Sequence, residues 1–382
     1  MRMQFLMLLI ILTIPFYTQA QECDCNEIFE WTKKTFEEND AGFSYIIHKK
    51  GQQAYSIHNK MIRDSVQNIT DPIRCQNTIR KWLSFFRSAH VEFHYMGKES
   101  IMEKKKRQRP KNTAKDTLSS AQPTSRHARF LHETRPFIEP INRQTLYLRI
   151  PSFHPNAKKT IDSLIISNMS RITQVENLII DIRNGTGGSD ESYQKIMPLL
   201  YTNPIRMPNV EFLSTRLNNQ RMYELATNSG IAQMFGLNLS PEERQEFRRY
   251  YDILSQHLGE FVNLDSEDVS ITMFDTVYAF PQKVGILINE KNVSTDEQFL
   301  LEARQSKKVK LFGRTTRGGL DVSNLYLTYS PDKDFMLVYA LSRSLRIPEF
   351  VVDDIGIKPD YYLDHAIPES LWINYVTKIL NE

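Results

Sequence analysis

Apolar residues follow two different rhythms along this chain. In the first hundred residues they recur every three or four positions. Ile28, Trp31, Thr35 and Phe36 share one face of a helix that Asn39 and Gly42 close. A second helix is read in "YSIHNKMIRDSVQNI". A third opens on Asp71 as N-cap and Pro72 as first helical residue, with Cys75, Ile79, Trp82, Leu83 and Phe86 as its stripe. The period then changes to two: Val91, Phe93 and Tyr95 alternate with His90, Glu92 and His94, which predicts a strand.

From Gln144 the pattern is different. Short apolar runs ("TLYLRI", "NLIIDI", "KVGILIN", "KVKLFG", "DFMLVYALS", "EFVVDD") predict strands, and "KKTIDSLIISNMSRI", "SDESYQKIMPLL" and "STDEQFLLEARQS" predict helices between them. Strands alternating with helices of this length predict an α/β layered core. An insertion at about 206–278 interrupts it and carries the amphipathic helix of "SPEERQEFRRYYDILSQHL", opened by a Ser240–Glu243 capping box. A cover over a cleft is one expectation for this insertion.

The expected organisation is therefore a small helical domain over 21–97, a linker over 98–135 and an α/β core over 136–382. The linker ("EKKKRQRPKNTAKDTLSSAQPTSRHAR") is basic and poor in apolar residues, as solvated or disordered segments are. Ahead of these, Arg2, the run "FLMLLIILTIPF" and the small residues Thr18 and Ala20 have the layout of a signal peptide cut after Ala20, which predicts a secreted or periplasmic protein. That run is shorter than the ~20 residues a membrane span needs, and no other long apolar run follows.

Composition adds limits. The 382 residues allow a sizeable core, with 41% apolar, and a formal charge of +3 is too mild to argue for nucleic acid. Three cysteines in an exported chain leave two readings: a bond from Cys23 or Cys25 to Cys75, or three thiols. Cys23-x-Cys25 has no second ligand pair nearby, so no metal site is expected.

Three segments carry candidate chemistry. In "DIRNGTGGSDES", Gly185, Gly187 and Gly188 permit a sharp turn with exposed amides, but Asp190 replaces the third glycine of a dinucleotide loop and no lysine makes a Walker loop. No cofactor is expected. In "NVSTDEQ", Ser294 precedes Glu297 by three, which is a capping box and equally a place for a nucleophile at a strand-to-helix turn. His90 is the third candidate; with Val91 after it, it does not open a zinc-protease helix.

Taken in order, "TLYLRIPSF", "LIIDIRNGTGG", "VGILINEKNVSTDEQF", "LFGRTTRGG" and "VVDDIGIKPDY" resemble the core of the C-terminal processing (tail-specific) and tricorn-core serine peptidases, from about 144 to 363. The resemblance implies a crotonase/ClpP-like layered core and peptide-bond hydrolysis. It implies Ser294 as nucleophile, Glu297 beside it, and an oxyanion hole from Gly187 or Gly188 with Thr295. The branch with a lysine base carries it where this chain has Gly319, so the resemblance implies the histidine branch, with His90 as base. In that branch a serine orients the histidine and a glutamate supports the nucleophile; here Ser88 and Asp353 stand nearest those places. The stretch from Tyr95 to Thr145 is too short for the PDZ domain common in the family. The implied partner is a polypeptide substrate, an unfolded or C-terminal segment. The competing expectation is a catalytically inactive member that binds a peptide or another ligand.

Overall fold

The computed structural model describes residues 22–97, 126–234, 237 and 239–382. The signal-like segment and most of the basic linker lie outside them. Four helices come first: α1 (Cys25–Asn39), α2 (Phe43–Lys50), α3 (Gln52–Val66) and α4 (Pro72–Leu83). Asp24 caps α1 and Asp71 caps α4 through side-chain acceptors, with Pro72 in the first turn. A Cys25–Cys75 disulfide ties the start of α1 to α4, and Cys23 is a free thiol. The sequence reading misses α2: Gly42, taken there as a stop, precedes a new helix.

After β1 (Glu92–Tyr95), the described chain resumes with the short helix α5 (Arg126–Phe130), at the end of the expected linker. There Phe130 is buried and stacks on Tyr147. Next come β2 (Phe137–Pro140), β3 (Thr145–Arg149), α6 (Pro155–Ile172) and β4 (Asn177–Asp181). The helix expected in 189–200 is broken into a 3-10 turn at Asp190–Ser192 and one turn, α7 (Met197–Leu200). Pro198 lacks an amide to continue a helix and is tolerated only at a helix start, which is where it sits.

The insertion supplies β5 (Ile205–Pro208), β6 (Val210–Leu213), α8 (Arg216–Thr227), α9 (Ile231–Met234), α10 (Pro241–Ser255), β7 (Phe261–Asn263) and β8 (Val269–Thr272). The core continues with β9 (Lys283–Ile288), α11 (Thr295–Ala303), β10 (Val309–Gly313), β11 (Val322–Tyr329), β12 (Phe335–Ser344), β13 (Tyr361–Tyr362) and α12 (Trp372–Asn381). "EFVVDD" is not a strand. The Val352 and Asp353 amides both donate to Asp321 Oδ2 at 2.7 Å, so a carboxylate takes the donors a neighbouring strand would need.

Two sheets result. One runs β13-β10-β9-β4-β3-β2, parallel except for β2, with α6 and α11 packed in one core and α12 with Phe130 in another. Near-continuous apolar strands are what a parallel sheet covered on both faces requires. The second runs β1-β12-β6-β7, with β11 also on β12. It joins the N-terminal helices, the insertion helices α8 and α10, and β12 in one core. Because β1 pairs antiparallel with β12 (Phe93 opposite Leu337), the segment carrying His90 is fixed to the C-terminal part of the chain by a ladder as well as by packing.

Candidate active site

The same Ser-x-x-Glu spacing occurs twice, and the structure separates the two cases. Ser240 has the extended backbone of an ordinary N-cap (φ −63°, ψ 163°), and its Oγ accepts the Glu243 amide at 3.1 Å. Ser294 sits at φ 63°, ψ −124°, a conformation that costs a non-glycine residue of order 1–3 kcal/mol. The box geometry is present there too. However, the amide that the hydroxyl would cap already donates to the Ser294 carbonyl (2.8 Å), and no cap hydrogen bond to the hydroxyl forms.

The surroundings hold that strained turn. Glu297 is fully buried, and its carboxylate accepts from the amides of Ser294 (3.1 Å), Gly318 (2.8 Å) and Gly319 (2.9 Å) and from Thr316 Oγ1 (2.5 Å). Burial pushes its pKa up, and these donors oppose the rise. With its lone pairs filled by positioning contacts, Glu297 fixes the turn and carries no proton in this arrangement. Asn292, which sequence reasoning overlooked, donates to the Ile182 carbonyl (2.7 Å) and to Asp296 (2.8 Å), tying the serine loop to the glycine turn.

That glycine turn stands on a buried charge cluster. Asp181 accepts from Tyr147 Oη (2.7 Å) and from Arg183 Nη2 (2.6 Å). At Gly188 (φ 150°) a Cβ would lie 2.2 Å from the Phe153 carbonyl carbon, so only glycine fits. At Gly187 (φ 85°) it would lie 2.8 Å from Ser294 Cβ, so the turn passes directly over the serine. The Gly187 amide helps to hold the Asp296 pKa down against burial, which makes the Gly188 amide the freer of the two. No hydrogen bond engages the Gly188 and Thr295 amides among the described residues.

His90 follows α4 at φ 58°. Its Nδ1 lies 2.6 Å from the Val322 carbonyl. A carbonyl only accepts, so Nδ1 carries the hydrogen and Nε2 keeps its lone pair. Burial pushes the pKa down to about 4, with the Arg87 and Arg317 guanidiniums adding to it, so the ring is neutral near pH 7. The segment is anchored by a buried ion pair: Arg87 donates to both oxygens of Asp40 (2.7 and 2.5 Å) and to the His90 carbonyl (2.9 Å). Arg317 also donates to the Ser88 carbonyl.

Two expected roles are not what the geometry gives. The Ser88 side chain is exposed, and the Val322 carbonyl orients the ring in its place, because the chain turns left-handed at His90 and faces the imidazole toward β11. No hydrogen bond joins Asp353 to Ser294 or His90 among the described residues. Its Oδ1 accepts the Leu320 (2.6 Å) and Asp321 (2.7 Å) amides, and burial with the nearby Asp321 carboxylate pushes its pKa up to about 7. It shapes the strand entry that carries Val322.

Gly319 explains the missing lysine. A Cβ there would lie 2.4 Å from Ala89 Cβ and 2.8 Å from Val293 Cγ2, so a side chain at this position and the His90 segment exclude each other.

His90, Gly188, Ser294 and Thr295 line one cavity of about 750 Å³, with Met207 and Leu225 of the insertion in its wall. No hydrogen bond joins Ser294 and His90 among the described residues, which is common before substrate binds.

A family model for peptidase family S41 matches residues 144–363. No curated protein matches. Among solved structures, mature CPAF is similar at 10% identity (TM-score 0.56), covering 94% of this chain and 96% of that one. A candidate peptidase from Parabacteroides merdae is similar at 12% (TM-score 0.54; 94% and 98% covered). A lipoprotein from Streptococcus agalactiae is similar at 14% (TM-score 0.50; 94% and 96%). At these identities the likeness shows the fold.

Proposed function

The chain belongs to peptidase family S41, whose members are serine-type hydrolases, and from that premise we propose that Ser294 is its nucleophile and His90 its general base. The observation that carries this reading is the backbone of Ser294, held at φ 63°, ψ −124° between a buried strand and a helix while Ser240, with identical spacing, is an ordinary cap. A sharp, strained strand-to-helix turn is the device that exposes a catalytic hydroxyl.

His90 Nε2 takes the Ser294 proton as Oγ bonds to the peptide carbonyl carbon. The Gly188 and Thr295 amides hold the oxyanion, each such donor being worth ~2.7–4 kcal/mol in comparable sites. The C–N bond then breaks and His90 returns the proton to the leaving amine. Water then attacks the acyl ester as His90 takes its proton; the bond to Ser294 Oγ breaks, His90 passes that proton to Oγ, and the carboxylic acid product leaves. The Val322 carbonyl bond does the orienting that a carboxylate does in an Asp-supported triad. The cavity suits an extended, unfolded or C-terminal polypeptide segment. The Cys25–Cys75 disulfide supports a secreted or periplasmic protein, since such bonds persist in oxidising compartments.

The test is labelling with a fluorophosphonate followed by peptide mapping. Wild type should be modified at Ser294, Ser294→Ala should not react, and His90→Ala should react slowly. A folded wild type that never reacts would instead be a ligand-binding protein on a peptidase fold.

A further inference from the structure

Arg221, on α8, lines the cavity that Ser294 and His90 share. Its Nε is shut off from water with no hydrogen-bond partner, and among the described residues its guanidinium enters no ion pair. No acidic side chain of this wall pairs with it among the described residues, and several charged groups nearby are occupied elsewhere. Glu224, three residues on, accepts from Tyr326 Oη (2.8 Å) and the Ile231 amide (3.0 Å). Across the cavity Glu302 accepts from Tyr193 Oη (2.6 Å). The other arginine of the wall, Arg346, is bound to Asp321 at 2.6 Å. Asp265 lines the cavity without pairing with Arg221. Burial accordingly pulls the Arg221 pKa down to about 10.

Arg221 as a whole is half-buried, and it is its Nε–H that is shut off from water; a buried N–H left without an acceptor costs stability. Nothing in the described residues compensates this one, but a ligand entering the cavity could. The neighbouring wall is apolar (Leu225, Ile231, Leu237, Leu325), which strengthens any ion pair formed there. A guanidinium presents a planar fork that matches a carboxylate.

We infer that Arg221 is a substrate-recognition residue that pairs with a carboxylate of the polypeptide bound in the cavity, supplied by its C-terminus or by an Asp or Glu side chain. This rests on the peptidase reading. It gives the insertion a second role: α8 is a wall of the cleft and also carries its specificity-determining cation.

The experiment uses Ser294→Ala protein, so that nothing is turned over, and three fluorescent Ala-Leu-Ala-Leu peptides. One has a free C-terminal carboxylate, one a C-terminal amide, and one an amide with an internal Leu replaced by Glu. One of the carboxylate peptides should bind ~10–100-fold more tightly than the neutral amide, and which one identifies the source. The preference should collapse in Ser294→Ala/Arg221→Met and partly return in Ser294→Ala/Arg221→Lys. Equal binding of all three peptides, a preference that survives Arg221→Met, or an equal loss for all three in that variant overturns the inference. Fluorophosphonate labelling of wild type reports the peptidase reading separately, so failure of one is not mistaken for failure of the other.

Discussion

Replacing Glu297 with glutamine substitutes an NH2 group for one oxygen of a buried carboxylate. Oε1 accepts from Thr316 Oγ1 and the Gly318 amide, and Oε2 from the Gly319 and Ser294 amides. With its NH2 in the Oε2 place the glutamine faces the Gly319 and Ser294 amides and satisfies neither; in the Oε1 place Thr316 Oγ1 can turn to accept from it, which leaves the Gly318 amide alone without an acceptor. A buried donor left without an acceptor costs ~1–3 kcal/mol, and the cheaper orientation leaves one. Relief from the desolvation that raises the Glu297 pKa offsets part of this. The cheapest escape is for Ser294 to leave φ 63°, which releases ~1–3 kcal/mol of backbone strain. Glu297→Gln should therefore lower the urea midpoint and slow fluorophosphonate acylation by more than the stability loss alone explains. Exchange of the Ser294, Gly318 and Gly319 amides should accelerate. A Glu297→Gln protein with wild-type stability and acylation rate would refute the view that this carboxylate holds the nucleophile turn.

Other substitutions test the parts around it. Because the His90 pKa is pushed down to about 4, the base is available above that value. The acid limb of acylation should fall near pH 4 rather than at the ordinary imidazole value of about 6.5, as a pH–rate profile would show. The same depression makes the unfolded chain bind the extra proton first, so this group's contribution to stability is present above about pH 6.5 and is lost as pH falls toward 4. Arg87→Ala leaves Asp40 buried and unpaired, and chemical denaturation should show a loss of about 3–5 kcal/mol. Gly319→Ala places a methyl 2.4 Å from Ala89 Cβ; the expected cost is about 1–3 kcal/mol, with slowed acylation because His90 is displaced.

What the sequence revealed and what it hid follow from the range of the interactions. Buried parallel strands, capped helices and the Ser294 turn are written in contiguous residues, and so is the glycine at 319. The orientation of His90 is not, because it comes from a main-chain carbonyl on β11, and any residue at 322 would supply the same atom. Ser88 was a plausible substitute only because it is near in sequence. "EFVVDD" has the composition of a strand, yet Asp321 takes its donors from across a loop. The Arg87–Asp40 pair, just past the ends of two helices, has no local signature, and only docking onto β12 buries it. Arg221 lay in an insertion whose pattern gave a cover for the cleft, and its lack of a partner is visible only in three dimensions.

The central claim, that Ser294 attacks with His90 as base and the Gly188 and Thr295 amides as oxyanion donors, is tested most directly by a crystal structure of the fluorophosphonate adduct. The account predicts phosphorus on Ser294 Oγ and a phosphoryl oxygen about 2.7–3.1 Å from both amides. It also predicts His90 Nε2 within about 2.6–3.2 Å of an adduct oxygen. An adduct on another residue, or an imidazole still out of reach with the Gly188 amide turned away, would contradict it.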